Sequence, residues 1–99
     1  MRDYVPEGLP ARGKVQGVVT DEGGWPVPRV TVVLLDAGGK EQARTSSRKN
    51  GRYELVLDQP CKACSLSAER AGFVTQQRKD VNYNGANSLF FAFALRRNK

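Results

Sequence analysis

Histidine is absent from this 99-residue sequence. Its absence excludes a Ser–His–Asp triad, a Cys–His dyad and any metal site that depends on an imidazole ligand. Catalysis would have to depend on carboxylates, lysine or cysteine alone. We therefore expect a protein that is not an enzyme, with no catalytic residue, no cofactor and no bound metal.

Long apolar runs are also missing, since no stretch approaches the roughly 20 residues that a membrane-spanning helix requires. The first residues contain Pro6, Gly8 and Pro10 where a signal peptide would have its apolar region. We expect no membrane insertion. Either an export signal has been removed from this sequence, or the protein is made and used without one.

Cysteine is scarce, and the two that occur, Cys61 and Cys64, have a Cys-x-x-Cys spacing. A single pair provides half of a zinc site, and no second pair or histidine completes it. A redox-active pair needs a helix after its first cysteine, whereas residues 65–68 alternate as a strand does. We expect a local disulfide at a hairpin tip if the protein is exported, and two inert thiols in a reducing compartment.

Acidic residues number 10 against 16 lysines and arginines, and the resulting charge of +6 is unevenly distributed. Residues 1–40 contain five basic and five acidic residues, whereas residues 41–99 contain eleven and five. A basic surface can bind nucleic acid, anionic lipid or an acidic protein, or simply keep a domain soluble. The basic residues from position 96 onward are interpreted as a soluble tail.

Four basic residues surround one predicted hairpin: Arg44, Arg48, Lys49 and Arg52. They are candidates for binding phosphate or an acidic protein partner. A solvated hairpin is the simpler interpretation, because the one aromatic residue among them, Tyr53, is predicted to point inward and cannot stack on a base.

Helical periodicity is absent over any stretch of ten residues, and short apolar stretches alternate with turn signals, as in an all-β sandwich. Seven strands are predicted, over residues 14–20, 29–36, 41–46, 52–57, 65–70, 73–81 and 88–96. Asn50-Gly51 is the strongest hairpin signal, because both residues tolerate a positive φ. Alternation places these side chains in the core: Tyr53, Leu55, Leu57, Leu66, Ala68, Leu89, Phe91, Phe93 and Leu95.

Four short motifs occur in order along the chain: GKVQGVVTD at residues 13–21, Gly24 with Pro26-Val27-Pro28, NGRYEL at residues 50–55, and AGF at residues 71–73. Together they resemble the carboxypeptidase regulatory-like domain, a family with a transthyretin-like (prealbumin-like) fold. The resemblance covers residues 13–95 and implies a seven-stranded, Ig-like Greek-key β-sandwich. We therefore divide the chain into an extended N-terminal arm or linker, residues 1–12, and one domain, residues 13–97.

The resemblance implies a module without catalytic activity, because such domains usually accompany peptidases, receptors, adhesins and other surface proteins. Urate-pathway hydrolases are similar in fold but need histidines, which this chain lacks. Pilin-like relatives form a Lys–Asn isopeptide bond beside a buried carboxylate. Lys14, Asn98 and Glu54 are candidates for that bond by position only, and Glu54 is predicted to point outward.

Trp25 lies beside two prolines in the predicted loop before the second strand, with Arg29 at the end of that loop. It is either an exposed anchor for a protein partner or a sugar, or a cap on the open end of the sandwich. Trp25 and Arg29 are therefore candidate partner-binding residues.

These observations favour a non-enzymatic structural or protein-interaction module of a surface-exposed or secreted assembly, located outside the cell or on its surface. The main alternative is a structural or decoration subunit of a virion or of a secretion apparatus. A nucleic-acid-binding domain that uses the basic residues 41–99 is a third alternative, although nucleic acid is the less favoured partner.

Overall fold

The computed structural model describes residues 14–57, 59–85 and 87–98, and the predicted arm at residues 1–12 lies outside these residues. Seven strands form within them: β1 (Lys14–Asp21), β2 (Thr31–Leu35), β3 (Glu41–Ser46), β4 (Arg52–Val56), β5 (Cys61–Glu69), β6 (Gln76–Tyr83) and β7 (Leu89–Leu95). They make a three-stranded sheet in the order β4-β1-β7 and a four-stranded sheet in the order β3-β2-β5-β6. The predicted seven-stranded all-β sandwich is confirmed. No described segment is a helix long and apolar enough to cross a membrane.

Alternating side chains build the core between the two sheets, as the sequence predicts. The inward set of the fourth strand is buried, namely Tyr53, Leu55 and Leu57, and so are Leu66 and Ala68 of β5. On β7, Phe93 and Leu95 are buried, whereas Leu89 and Phe91 are only partly buried against the core. Phe91 is therefore less enclosed than the alternation alone suggests, because β7 is an edge strand with a partner on one side only.

β1 is the central strand of the three-stranded sheet, antiparallel to β4 and parallel to β7. Gly17 lies opposite Tyr53 on one side and Phe91 on the other. The Tyr53 hydroxyl donates a hydrogen bond to the Phe91 carbonyl oxygen at 2.7 Å. A Cβ atom at Gly17 would overlap that oxygen and lie 2.6 Å from the hydroxyl, so the hydrogen bond requires glycine here. Burial raises the pKa of Tyr53 above its usual range.

The predicted boundaries of the fifth and sixth strands are wrong. β5 begins at Cys61, inside the predicted loop, and β6 covers Gln76–Tyr83 instead of residues 73–81. Ala63 in β5 and Asp80 in β6 both adopt a positive φ, and the pairing register shifts beside each of them. A bulge inserts an extra residue and reverses which side chains point inward and which point outward. The alternation of side chains therefore cannot be extrapolated through a bulge.

The Asn50-Gly51 turn does not close a hairpin, because β3 and β4 belong to different sheets. Gly51 has the predicted positive φ, at 81°, and its N–H donates to the Arg48 carbonyl at 2.8 Å. Its own carbonyl accepts the Val19 N–H at 2.8 Å, which ties the turn to β1. The turn signal is correct, but it carries the chain across the sandwich and not back along the same sheet.

Candidate binding site

Four connections meet at one end of the sandwich: residues 22–30, 47–51, 70–75 and the segment 96–98 that follows β7. We call this the Trp25 end. It contains six basic residues, Arg29, Arg48, Lys49, Arg70, Arg96 and Arg97, and one acidic residue, Glu22, for a net charge of +5. The described connections at the opposite end, residues 36–40, 57, 59–60, 84–85 and 87–88, contain only Asp36 and Lys40, for a net charge of zero.

The loop that bears Trp25 is held by a network of backbone hydrogen bonds. Asp21 Oδ1 accepts the N–H groups of Gly23 and Trp25, at 2.9 and 3.0 Å. The Asp21 N–H donates to the Trp25 carbonyl at 2.9 Å, and Pro26 forms an isolated bridge with Thr20. The loop is thereby fixed, and yet the Trp25 side chain is 72% exposed. This exposure is incompatible with the interpretation that Trp25 caps the core.

Ser47 fixes the second half of the same loop from inside the protein. Its buried hydroxyl donates to the Val27 carbonyl at 2.7 Å and accepts the Val30 N–H at 2.9 Å. The Ser47 carbonyl also accepts the Arg29 N–H at 2.9 Å, while Arg29 itself has a φ of 59°. This left-handed conformation ends the loop at Arg29, so β2 begins at Thr31 and not at residue 29 as predicted.

A groove of about 590 Å³ opens at the Trp25 end, between the Trp25 loop and the connection from β5 to β6. Trp25 and Pro26 line one side, and Phe73 lines the other together with Arg70 and Arg97. The guanidinium carbons of Arg70 and Arg97 lie 6.0 and 5.0 Å from the centre of the Phe73 ring. Arg70 Nη1 also donates to the Pro28 carbonyl at 2.8 Å, which holds that guanidinium in place.

The six partner-binding candidates from the sequence do not form one cluster. Trp25, Arg29, Arg48 and Lys49 are exposed in the connections of the Trp25 end, and Arg52 is exposed where β4 begins beside them. Arg44 differs, because it lies within β3 and its Nη2 pairs with Glu41 Oε1 at 2.7 Å. The hydrogen bond from Arg44 lowers the pKa of Glu41, so both groups of this exposed pair are charged and the Arg44 charge is compensated.

Sequence reasoning missed three residues of the groove: Arg70, Phe73 and Arg97. Phe73 looks like an ordinary core residue, and it is indeed only 9% exposed. Arg97 looks like a soluble tail, but it forms an isolated bridge with Phe73 and stacks on its ring. The AGF motif at residues 71–73 marks the turn. Nothing in the sequence shows that this turn faces Trp25, which lies more than 40 positions earlier.

Cys61 and Cys64 form a disulfide across the bulge in β5, and not at a hairpin tip. The intervening Ala63 N–H donates to Asn82 Oδ1 of β6 at 2.8 Å. Both cysteines are buried, whereas a reactive pair needs an accessible sulfur atom. Among the described residues, no group of three or more His, Cys, Asp or Glu side chains is placed to hold a metal ion.

The isopeptide candidates lie apart. Lys14 Nζ pairs with Glu54 Oε2 at 3.0 Å at the start of β1, and Asn98 Nδ2 donates to the Phe73 carbonyl at 3.2 Å beyond the end of β7. Because β1 and β7 run parallel, about one strand length, roughly 20 Å, separates the lysine from the asparagine. The geometry excludes a bond between them.

The sequence profile of the carboxypeptidase regulatory-like domain matches residues 14–96, and the chain therefore belongs to that family. A search of curated protein sequences finds no match. Solved structures show the same transthyretin-like fold. The Klebsiella pneumoniae 5-hydroxyisourate hydrolase is similar at a TM-score of 0.66 and 18% identity, over 88% of this chain and 92% of that one.

Two further structures contain this sandwich as part of a longer chain. The Bacillus anthracis TIE protein matches at a TM-score of 0.67 and 12% identity, over 87% of this chain but 17% of its own. A putative carbohydrate binding protein from Bacteroides uniformis matches at 0.63 and 15% identity, over 84% and 40%. At such identities the likeness concerns the fold alone, since one fold supports many functions.

Proposed function

We propose that this chain is a non-enzymatic protein-interaction module of a surface-exposed or secreted assembly, and that it binds its partner through the Trp25 end. The observation that supports this most directly is the exposure of Trp25, at 72%, in a loop held by hydrogen bonds and two prolines. A fixed loop loses little conformational entropy on binding. Tryptophan and arginine are also the residue types that most often dominate binding energy at protein interfaces.

Two features support the rest of the proposal. The disulfide between Cys61 and Cys64 is of the kind that persists in oxidising compartments, in agreement with a place outside the cell or on its surface. The similarity to the hydrolase assigns no activity to this chain, because at 18% identity it concerns the fold alone, and the absence of histidine favours a module without catalytic activity.

The test compares Trp25→Ala with a matched control, Phe90→Ala. Phe90 is a second exposed aromatic residue, 58% exposed, on the outer face of β7 and away from the Trp25 end. Each immobilised variant is offered the extracellular and surface proteins of the organism that makes this chain. The affinity of every retained protein is then measured by surface plasmon resonance.

We expect Trp25→Ala to change the free energy of unfolding by about 0.5 kcal/mol or less, because the side chain makes little contact with the core. The same change should weaken partner binding by at least about 2 kcal/mol, as for other central interface aromatics. Phe90→Ala should leave binding intact. If the wild-type chain retains no protein, or if both variants retain the same proteins as wild type, the proposal is wrong.

A further inference from the structure

We propose that the groove of the Trp25 end accepts an acidic segment of the protein partner, with its carboxylates on Arg70 and Arg97 and an apolar side chain against Trp25 and Pro26. The inference rests on the proposed function, since it names the kind of partner surface that this site would recognise. It goes beyond that function because it assigns carboxylate binding to Arg70 and Arg97, which are not among the candidate residues of the sequence.

Charge is the first argument. The connections of the Trp25 end have a net charge of +5, whereas the described connections at the other end have none. Within the described residues, one of these six cations has an acidic partner, Arg96, whose Nε lies 3.8 Å from Glu22 Oε2. A surface of one sign attracts a partner of the opposite sign and speeds the encounter. The partner should therefore be acidic where it meets this end.

The geometry of the groove is the second argument. Arg70 and Arg97 both lie over the Phe73 ring, and Arg70 Nη1 also donates to the Pro28 carbonyl, so these contacts restrain the two guanidinium groups before any ligand arrives. Such preorganised guanidinium groups bind carboxylates through paired hydrogen bonds better than a mobile lysine does. Trp25 and Pro26 form an apolar wall beside these cations. The groove thus offers cationic and apolar contacts side by side, which matches a peptide that has both acidic and apolar side chains.

The composition of the lining distinguishes a peptide from a sugar. The described residues of the lining contain no side-chain amide and no hydroxyl group. Its single carboxylate belongs to Asp21, whose Oδ1 is already bonded to the N–H groups of Gly23 and Trp25. Sugars are recognised largely through hydrogen bonds to their hydroxyl groups, whereas the charged side-chain donors of this lining are two guanidinium groups, which favour a carboxylate over a neutral sugar. The Trp25 ring alone does not make a sugar site.

Trp25 is the only tryptophan of the chain, so its fluorescence reports directly on the groove. The probe is an acetylated, amidated 11-residue peptide of alternating glutamate and leucine, added to the full chain at 150 mM salt. We expect a blue shift of the Trp25 emission and saturable binding, because an exposed indole becomes covered. Two control peptides replace glutamate by glutamine or leucine by serine, and each should bind about tenfold more weakly or worse.

Two neighbouring arginines provide a matched pair of variants. Arg97 lines the groove beside Trp25, whereas Arg96 points away from it and lines a different depression with Glu22 and Val74. Arg97→Gln and Arg96→Gln remove the same charge at adjacent positions. We expect Arg97→Gln to weaken peptide binding about tenfold. Arg96→Gln should weaken it less than about twofold, because salt screens a charge outside the contact. Circular dichroism melting curves show whether each variant is folded.

Equal losses for the two variants would overturn the inference, since general charge attraction would then explain binding. An unchanged Trp25 emission, or equal affinity for the glutamine peptide, would overturn it as well. Duplex DNA, polygalacturonate and phosphatidylserine vesicles are titrated in parallel. If any of them binds more tightly than the peptide and with the same dependence on Arg97, the acidic peptide is the wrong ligand.

The proposed function and the acidic-segment inference are tested by different variants, so one can fail while the other stands. Trp25→Ala tests whether a protein partner uses this end at all, and Arg97→Gln tests whether that partner is acidic. If a retained natural partner depends on Trp25 but not on Arg97, the proposed function stands and the inference fails. If no natural partner is retained but the peptide binds as expected, the groove chemistry stands and the proposed function fails.

Discussion

The hydroxyl of Tyr53 leads to a prediction in which stability depends on pH. This side chain is buried in the core, and its hydroxyl donates to the Phe91 carbonyl at 2.7 Å. Tyr53→Phe removes the donor and leaves a carbonyl oxygen without that bond. We expect the free energy of unfolding at pH 7 to fall by about 1–2 kcal/mol, as for other buried hydrogen bonds with one partner removed.

Alkaline pH should reduce this difference. Burial raises the pKa of Tyr53 in the folded state, whereas in the unfolded chain it titrates near its ordinary value of about 10. Above that pH the unfolded chain loses a proton that the folded chain retains, so wild type loses stability as pH rises. At pH 10.5 the loss from this one group is about 0.8 kcal/mol. Phenylalanine has no proton to lose, so the variant escapes this part of the alkaline destabilisation.

The assay is urea unfolding of wild type and Tyr53→Phe at pH 7.0 and 10.5, followed by far-ultraviolet circular dichroism. Trp25 fluorescence is unsuitable, because that side chain is exposed before unfolding. All other ionisable groups are the same in the two proteins, and only the difference in stability between the proteins is used. A stability difference that is equal at the two pH values would refute the reasoning, as would a variant as stable as wild type at pH 7.

Three further predictions concern packing and the disulfide. Gly17→Ala should cost at least about 3 kcal/mol of unfolding free energy in urea titrations, because its methyl group would overlap a carbonyl oxygen of β7. Phe93→Ala should cost about 3–5 kcal/mol and Phe90→Ala about 0.5 kcal/mol or less, and equal costs would contradict the register of β7. Mass spectrometry should find Cys61 and Cys64 oxidised in protein prepared without reductant. Reduction should cost at most about 2 kcal/mol, since the closed loop is so short.

The sequence predicts most of the fold because alternation and turn chemistry are local. Tyr53, Leu55 and Leu57 alternate without interruption, and the structure buries all three. Prediction fails where a bulge interrupts the alternation, as at Ala63. This residue has a positive φ, but it is neither a glycine nor an asparagine, so the sequence does not indicate the bulge. Prediction also fails at Asn50-Gly51, because a local turn signal does not show whether the two strands that it connects, β3 and β4, pair with each other.

The candidate site was predictable in part, because Trp25 is large, follows a turn signal at residues 21–24 and precedes two prolines. The residues on the other side of the groove, Arg70, Phe73 and Arg97, were not predictable. The stacking of Arg70 and Arg97 on Phe73 depends on a bridge between residues 73 and 97, which pairs the connection after β5 with the segment after β7. Contacts between such distant positions follow from the topology and have no local signature.

The charge of the Trp25 end can be predicted from the sequence, because basic residues occur in alternate connections between the strands. A comparison of residues 1–40 with residues 41–99 does not show this pattern. Successive strands of this sandwich run in opposite directions, so every second connection returns to the same end. The basic residues of the connections recur at that interval, at positions 29, 48–49, 70 and 96–97. The connections between them, residues 36–40, 57–60 and 84–88, contain one lysine and no arginine. Once seven strands are predicted, this spacing alone indicates one strongly basic end and one end whose connections contain two acidic residues and one lysine. Which of the basic residues meets Trp25 still depends on the packing of the two sheets.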